Sequence, residues 1–460
     1  MKPTNVFELG ALMCYGDSSE PFHQDGWGNA NLEIAKDGFV IVMSWKYKRF
    51  KQRMVEDYIC IMRFCILLLL LSLSLFTFGQ NTPVLSKNAE ISLLTCSPGG
   101  DVYEAFGHSA IRVKDEANGL DFTFNYGTFD FGQPNFYLNF VKGKLLYMLS
   151  VSSTEGFVNY YRRYNRQVTE QILNLNQIEK QRLVNALDEN VKPENREYLY
   201  DYFFDNCSTR PRDAVFSALE SDLAIDTADC ENNSVRQLMN TYMGEERGWG
   251  RLGINICLSG PRIDQPASAL EYMYLPYELM WAFDRMTLTS EGVERPMVKK
   301  TNVLSEMDPE EIAIPKTTPR NVIVVVLLLI AAIVTSFRIR GKSVRILEGS
   351  VFMFFGILSL LFLFLWFGTD HFTAHKPYSL MWAVPTHIIF AWTLFKKERP
   401  IWIRWYAVST AVLMAVVLAG WKMIPVEFLS EIRFLVILQL FLAIGIIRSG
   451  ARKVFPETKN

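Results

Sequence analysis

The sequence predicts an α+β exported domain followed by an all-α membrane domain of five transmembrane helices. Three observations carry this expectation. A short apolar stretch behind a basic residue has the form of a secretory signal peptide. Residues 81–320 are water-soluble in character, with strand patterns ahead of helix patterns. Residues 321–447 then break into long apolar runs separated by short polar loops. The 460 residues are 50% hydrophobic, too apolar for an average soluble protein. A formal net charge of -1 gives no sign of a nucleic-acid partner, and none is expected. The 7 cysteines have the spacing of neither a disulfide framework nor a zinc site, so no metal and no cofactor is expected.

Residues 1–61 are mixed in composition, hold Cys14 and His23, and sustain no period. Met62-Arg63-Phe64-Cys65 then leads into an apolar run, closed by Gly79-Gln80-Asn81. Residues 62–80 are therefore read as the signal peptide. Such a peptide begins a chain, so Met62 is the expected start and residues 1–61 an upstream extension or mis-called leader. The alternative is a cytoplasmic tail with a signal anchor. Cys65 precedes the apolar core, so it is not a lipoprotein acylation cysteine.

In the exported domain, Glu-Ile-Ser-Leu-Leu-Thr-Cys at 90–96 reads as a strand and residues 106–113 as a second. Residues 121–126 alternate polar and aromatic, and 144–151 are strand-like. Residues 156–164 read as a short helix. Asn176 with Glu179 forms a capping box that opens a helix reaching Asn190. A helix follows Cys207. The stretches 253–258 and 269–285 read as mixed and loop-rich.

The apolar runs are 321–337, 346–369, 378–395, 405–421 and 432–447, the third and fifth being short or interrupted. Arg338, Arg340, Lys342 and Arg345 follow the first. Lys396, Lys397, Arg399 and Arg404 follow the third, and Arg448, Arg452 and Lys453 the fifth. The other loops hold little more than Lys376 and Lys422. The positive-inside rule makes the basic loops and the tail 448–460 cytoplasmic, and places residues 81–320 outside the cytoplasm. Trp366, Trp382, Trp402, Trp405 and Trp421 are expected to form an interfacial belt.

Chemistry concentrates at Tyr202-Phe203-Phe204-Asp205-Asn206-Cys207-Ser208-Thr209-Arg210-Pro211-Arg212. Good capping residues and a first-turn proline place Cys207 at a helix N-terminus. Orphan amides and the nearby Arg210 and Arg212 would favour its thiolate. A cysteine nucleophile needs a base, most often histidine. Of the 5 histidines, only His108 lies in the exported domain. Cys207 and His108 are the candidate pair. Asn125, Asp121 and Thr123 share one face by period two, and any of them could orient the histidine. Asn206 can cap the helix or contribute to an oxyanion site, and Asn206 and Arg210 are candidate substrate-binding residues. His371 and His375, in a short external loop, have i, i+4 spacing but too few partners for a metal; the loop could contact a lipid headgroup. Cys230 and Cys257 could pair in an oxidising compartment.

Phe106-Gly107-His108-Ser109-Ala110, then Asn125-Tyr126-Gly127, then Asp205-Asn206-Cys207-Ser208-Thr209-Arg210, then five apolar runs, resembles the Lnb family, lipoprotein N-acyltransferases of Bacteroidetes-type bacteria. The resemblance spans roughly residues 88–450. It implies a circularly permuted papain-like fold for the exported domain and Cys207 with His108 as the catalytic pair; Asn125 carries over less securely. It also implies an acyltransferase of the inner membrane with a phospholipid as acyl donor and a diacylated lipoprotein as acceptor. Residue chemistry alone supports thiol acyl transfer or hydrolysis. A membrane-anchored cysteine hydrolase and a non-enzymatic interaction module are the alternatives.

Overall fold

The computed structural model describes residues 83–225, 232–290, 292–308 and 317–454, together with Met62, Ile34–Ala35 and Gly38–Phe39. The signal-peptide run, most of the leader and Cys230 lie outside the described residues. The chain divides into two compact units, Met1–Asn81 and Thr82–Asn460. In the first, Ile34–Ala35 pairs antiparallel with Gly38–Phe39.

The second unit opens with three strands, β1 (Glu90–Cys96), β2 (His108–Asp115) and β3 (Leu120–Thr128). Helix α1 (Phe136–Lys142), strand β4 (Leu146–Ser153), helix α2 (Thr154–Arg163) and strand β5 (Val168–Leu173) follow. Helix α3 (Gln177–Asn190) and strand β6 (Glu197–Leu199) lead to α4 (Thr209–Ala218), the helix after Cys207. Then come β7 (Asp222–Ala224), α5 (Val235–Met243), α6 (Gly248–Cys257), α7 (Ala269–Tyr272) and α8 (Pro276–Arg285). Strands β8 (Thr287–Ser290), β9 (Val293–Pro296) and β10 (Val298–Ser305) close the domain. The stretches read as loop-rich are thus largely helical. Proline at the start of α8 and a Ser268–Glu271 capping box at α7 set their N-termini.

The main sheet is seven-stranded and antiparallel, in the order β10-β5-β1-β2-β3-β4-β6; β9-β8-β7 form a small second sheet. Alternation in β1 shows why both faces of the main sheet are covered. Ile91 and Leu93 pack with α3, α4 and α8 through Leu183, Val215 and Phe283. Leu94 and Cys96 point the other way, against Phe157 and Tyr161 of α2. Strand β5 escaped the sequence reading because it is polar and yet buried along its length. Its Glu170 accepts from Arg112 Nη1 at 2.7 Å and Asn302 Nδ2 at 2.9 Å, and Gln171 Nε2 donates to Asp284 at 2.7 Å. Buried polar groups are tolerated when they are paired in this way.

The membrane part holds four helices long and apolar enough to cross a bilayer among the described residues. They are α9 (Pro319–Ile339), α10 (Arg345–Phe367), α12 (Trp402–Ala419) and α13 (Ser430–Val454), with the short α11 (His387–Leu394) between the second and third. The fifth run is uninterrupted, whereas the third is not one helix. It is a 3-10 turn at Tyr378–Met381, a break at Pro385, and then α11. Proline lacks the N–H that would continue the helix. Eight residues of α11 give only about 12 Å, against a hydrocarbon core of roughly 30 Å. The chain nevertheless packs along α10 from Phe362 back to Gly349. Trp382 meets Phe362 and Phe355, while Phe352 meets His387 and Phe390. A Cβ on Gly356 would fall 2.6 Å from Ile388, so the close approach there requires glycine. Gln439 Nε2 donates to the Trp382 carbonyl at 3.0 Å, and Gln439 and Tyr406 bracket the His387 ring. These bonds pair polar groups within the bundle. Trp382 is fully buried in this packing and does not belong to the interfacial belt.

The exported domain docks on one end of the bundle. Trp249 Nε1 donates to the Thr317 carbonyl, Asp370 N to Lys142, Tyr378 N to Ser259, and Glu427 N to the Asp264 carboxylate. At the other end buried Glu348 binds Arg338 at 2.6 Å and Arg399 at 3.1 Å.

Candidate functional site

Cys207 is presented by a tight turn. Asp201 and Asp205 exchange backbone hydrogen bonds, and the Asp201 carboxylate accepts from the Phe203 and Phe204 amides. Buried Phe203 anchors the turn in the core around α5. The Asn206 side chain then caps α4: its Oδ1 accepts from Ser208 N at 2.7 Å and Thr209 N at 2.9 Å. Its Nδ2 donates to the Tyr202 and Tyr274 carbonyls at 2.8 and 2.9 Å. All four hydrogen-bonding capacities of this amide are used within the fold. Asn206 therefore positions the cysteine and has nothing left to offer an oxyanion or a substrate.

His108 begins β2, directly opposite Cys96 of β1, and its ring stacks on Tyr161 at 6.3 Å. Its Nε2 donates to Asn125 Oδ1 at 2.5 Å. That bond fixes the tautomer, because an amide oxygen only accepts, and it leaves Nδ1 for the thiol. His108 and Cys207 face the same space, and each shifts the other's pKa. The Ser109 and Ser208 hydroxyls, one residue beyond each, lie 3.1 Å apart and tie the two elements together. Of the three orienting candidates, only Asn125 reaches the ring. Asp121 is held by Arg112 at 2.7 and 2.8 Å, and Thr123 by Thr154 at 3.0 Å.

The register of β3 against β4 slips between Asn125 and Thr128, and Gly127 within that bulge has φ +90°. Bulges re-aim side chains beside functional sites. A Cβ on Gly127 would lie 3.4 Å from Cys207 Cβ, 3.6 Å from the Tyr200 ring and 3.9 Å from His108 Cε1. The glycine is thus the floor that lets thiol and imidazole share one space.

Burial works against the Cys207 thiolate. It is outweighed by the His108 charge and hydrogen bond, the Ser109 amide and the Tyr200 hydroxyl, and the thiol is held below its ordinary pKa. For His108 burial likewise opposes charge. The Cys207 charge and hydrogen bond, with the bond to Asn125, raise it overall. Both shifts favour passing the thiol proton to the imidazole. Neighbouring Cys96 behaves oppositely: burial pushes its thiol far up and it is inert.

The arginines do not contribute as expected. Arg210 makes a two-pronged pair with Asp205 at 2.5 and 2.8 Å and lies over the Tyr198 ring, so it braces the turn and is not a free substrate cation. Arg212 pairs with Asp213. His371 and His375 are apart from the thiol. His371 Nε2 meets the Phe140 carbonyl at 3.3 Å and His375 Nε2 the Thr369 carbonyl at 3.2 Å, at the seam between the two parts of the chain. Among the described residues no group of three metal-ligating side chains converges. Cys257 is a free thiol. Tyr200 was missed from sequence. The alternation Tyr198, Tyr200, Tyr202 just ahead of the cysteine was the available signal, since period two places three rings on one face.

A sheet-rich α+β domain holding a Cys–His–Asn cluster, set on a bundle of apolar helices, defines a membrane protein with an extramembrane thiol site. Residues 83–241 match the Lnb N-terminal periplasmic domain, and residues 310–453 the Lnb transmembrane domain. The chain belongs to the Lnb family, as a membrane protein with an N-terminal periplasmic domain. No curated protein and no solved structure matches it.

Proposed function

We propose that this protein is a membrane-bound lipoprotein N-acyltransferase working through an acyl-thioester on Cys207. The observation that carries the reading is the pairing of Cys207 with His108, whose ring is held by Asn125, within an Lnb periplasmic domain. The order of parts, histidine strand, asparagine strand, then cysteine before a helix, suits a circularly permuted papain-like arrangement. His108 takes the Cys207 proton, and the thiolate attacks an ester carbonyl of a phospholipid. The carbon–oxygen bond breaks, a lysophospholipid hydroxyl leaves with the proton from His108, and the acyl group stays on sulfur. The α-amine of a diacylated lipoprotein's N-terminal cysteine then attacks the thioester. An amide forms and the thiol returns. Covalent catalysis lets two bilayer-anchored substrates use one site in turn.

The membrane topology belongs to this reading. In it the broken segment 378–395 makes the third of five crossings, a reading supported by its packing along α10 from Phe362 to Gly349. The domain-bearing end of the bundle is then periplasmic, and the end with Arg338, Glu348 and Arg399 is cytoplasmic, as is the C-terminus.

The test uses full-length protein in phospholipid nanodiscs with a diacylated lipopeptide. The wild type should add one acyl mass to the peptide and carry a transient acyl group on Cys207. Cys207→Ser and His108→Ala should do neither while remaining folded. Release of free fatty acid with no amide product would replace this reading with a hydrolase, and unimpaired acylation by both variants would remove the site.

A further inference from the structure

Helix α1 and the turn before it present apolar side chains with no protein cover. Phe131, Tyr137, Leu138, Phe140 and Val141 are all exposed, and no residue of the helix is buried. A cluster of this kind marks an interaction surface. Its location identifies the partner. The Lys142 carbonyl accepts from Asp370 N at 2.9 Å, Lys144 pairs with Asp370 at 3.7 Å, and His371 reaches the Phe140 carbonyl. Asp370 and His371 follow directly on α10, an apolar span that ends at Phe367. Phe367 and Phe372, flanking that junction, are themselves exposed. Helix α1 therefore lies at the depth where α10 leaves the hydrocarbon. Lys142 ends the helix and Lys144 follows it, as basic residues do at headgroup level.

The element also leads into the thiol site. Ring pairs run Phe136–Phe131 at 4.9 Å, Phe131–Phe129 at 5.0 Å, Phe129–Tyr147 at 5.3 Å and Tyr147–Tyr200 stacked at 4.3 Å. Tyr200 borders the cysteine: a Cβ on Gly127 would meet Cys207 Cβ at 3.4 Å and the Tyr200 ring at 3.6 Å. A continuous run of aromatic contacts thus leads from the exposed helix to the edge of the thiol site.

We propose that the β3–β4 connection carrying α1 inserts its apolar side chains into the adjacent bilayer leaflet and is the lipid-facing side of the Cys207 site. Insertion rests on the membrane placement of α10; its service to Cys207 rests on the acyl-transfer reading.

The test places a benzophenone amino acid at Tyr137 or Phe140, in full-length protein in nanodiscs of phosphatidylethanolamine and phosphatidylglycerol. The control position is Ile178 on α3, which is 55% exposed, as is Phe140. Ile178 lies at the far end of the sheet: its neighbour Gln177 bonds Leu85 and Ser86, and Ser86 bonds Asp115, the end of β2 opposite His108. After irradiation, lipid-mass adducts should form at 137 and 140 at least about tenfold above 178, in variants whose thermal unfolding matches wild type. No adduct at 137 and 140, or equal yield at 178, overturns insertion. Acylation of Cys207 is read in the same samples. Adducts without thioester uphold insertion and defeat acyl transfer; thioester without adducts does the reverse.

Discussion

Replacing Asn125 by alanine removes one hydrogen bond from the site and leaves both reacting groups in place. The bond runs from His108 Nε2 to Asn125 Oδ1 at 2.5 Å. In the ion-pair state its donor is an imidazolium, and a bond to a charged group contributes about 1.5–3 kcal/mol. At 1.36 kcal/mol per decade that is roughly a 10- to 150-fold shift in the ion-pair equilibrium. The sign follows from the charges. Losing the acceptor makes imidazolium less favourable, so the His108 pKa falls. Less imidazolium then supports less thiolate, so the Cys207 pKa rises. The assay is the rate of Cys207 alkylation by iodoacetamide against pH, with the modified peptide quantified by mass spectrometry. Wild type should reach its alkylation plateau below the ordinary thiol range. Asn125→Ala should plateau one to two pH units higher, by the same conversion, and lose acyl transfer at neutral pH in proportion. An unchanged alkylation profile would refute the reasoning, because the carboxamide would then not be acting on the ion pair through the ring.

Three further outcomes follow from the same geometry. Tyr200→Phe removes a hydroxyl donor from the thiolate, so alkylation at pH 6 should slow by about threefold to tenfold, the size of one ordinary hydrogen bond, with thermal stability nearly unchanged. Gly127→Ala places a Cβ 3.4 Å from Cys207 Cβ at a backbone φ of +90°. It should cost about 1–3 kcal/mol of stability, read by denaturant or thermal unfolding, and lower acyl transfer more than Tyr200→Phe does. Glu348→Gln leaves Arg338 and Arg399 without their shared carboxylate. The thermal midpoint of the membrane domain in detergent should fall, reflecting about 3 kcal/mol for a buried charge pair broken from one side, while the alkylation profile of Cys207 stays as in wild type.

What sequence alone determined was local. The strand at Glu90–Cys96 and the Asn176–Glu179 capping box are written in neighbouring residues, and the structure places both at those positions. The apolar run behind α9 is equally plain, and so is the membrane character it implies. The Cys207 turn was legible because small polar capping residues and a first-turn proline stand together in the chain. The histidine was legible by elimination, since one histidine lies in the exported part. Tertiary structure decided the rest. Period two put Asp121, Thr123 and Asn125 on one face of β3, and only tertiary packing chose between them: Arg112 of β2 took the first, Thr154 of α2 the second and His108 of β2 the third. Asn206 and Arg210 looked available to substrate until the carbonyls of Tyr202 and Tyr274 and the carboxylate of Asp205 claimed them. The third apolar run has the composition of a spanning helix, yet Pro385 breaks it and Gln439, 57 residues from Trp382, satisfies the carbonyl involved. Hydropathy and capping act within one turn or one strand and survive in a linear reading. Hydrogen-bond partners, and with them the pKa of a thiol, are fixed by residues far apart in sequence that only the closed fold brings within 3 Å.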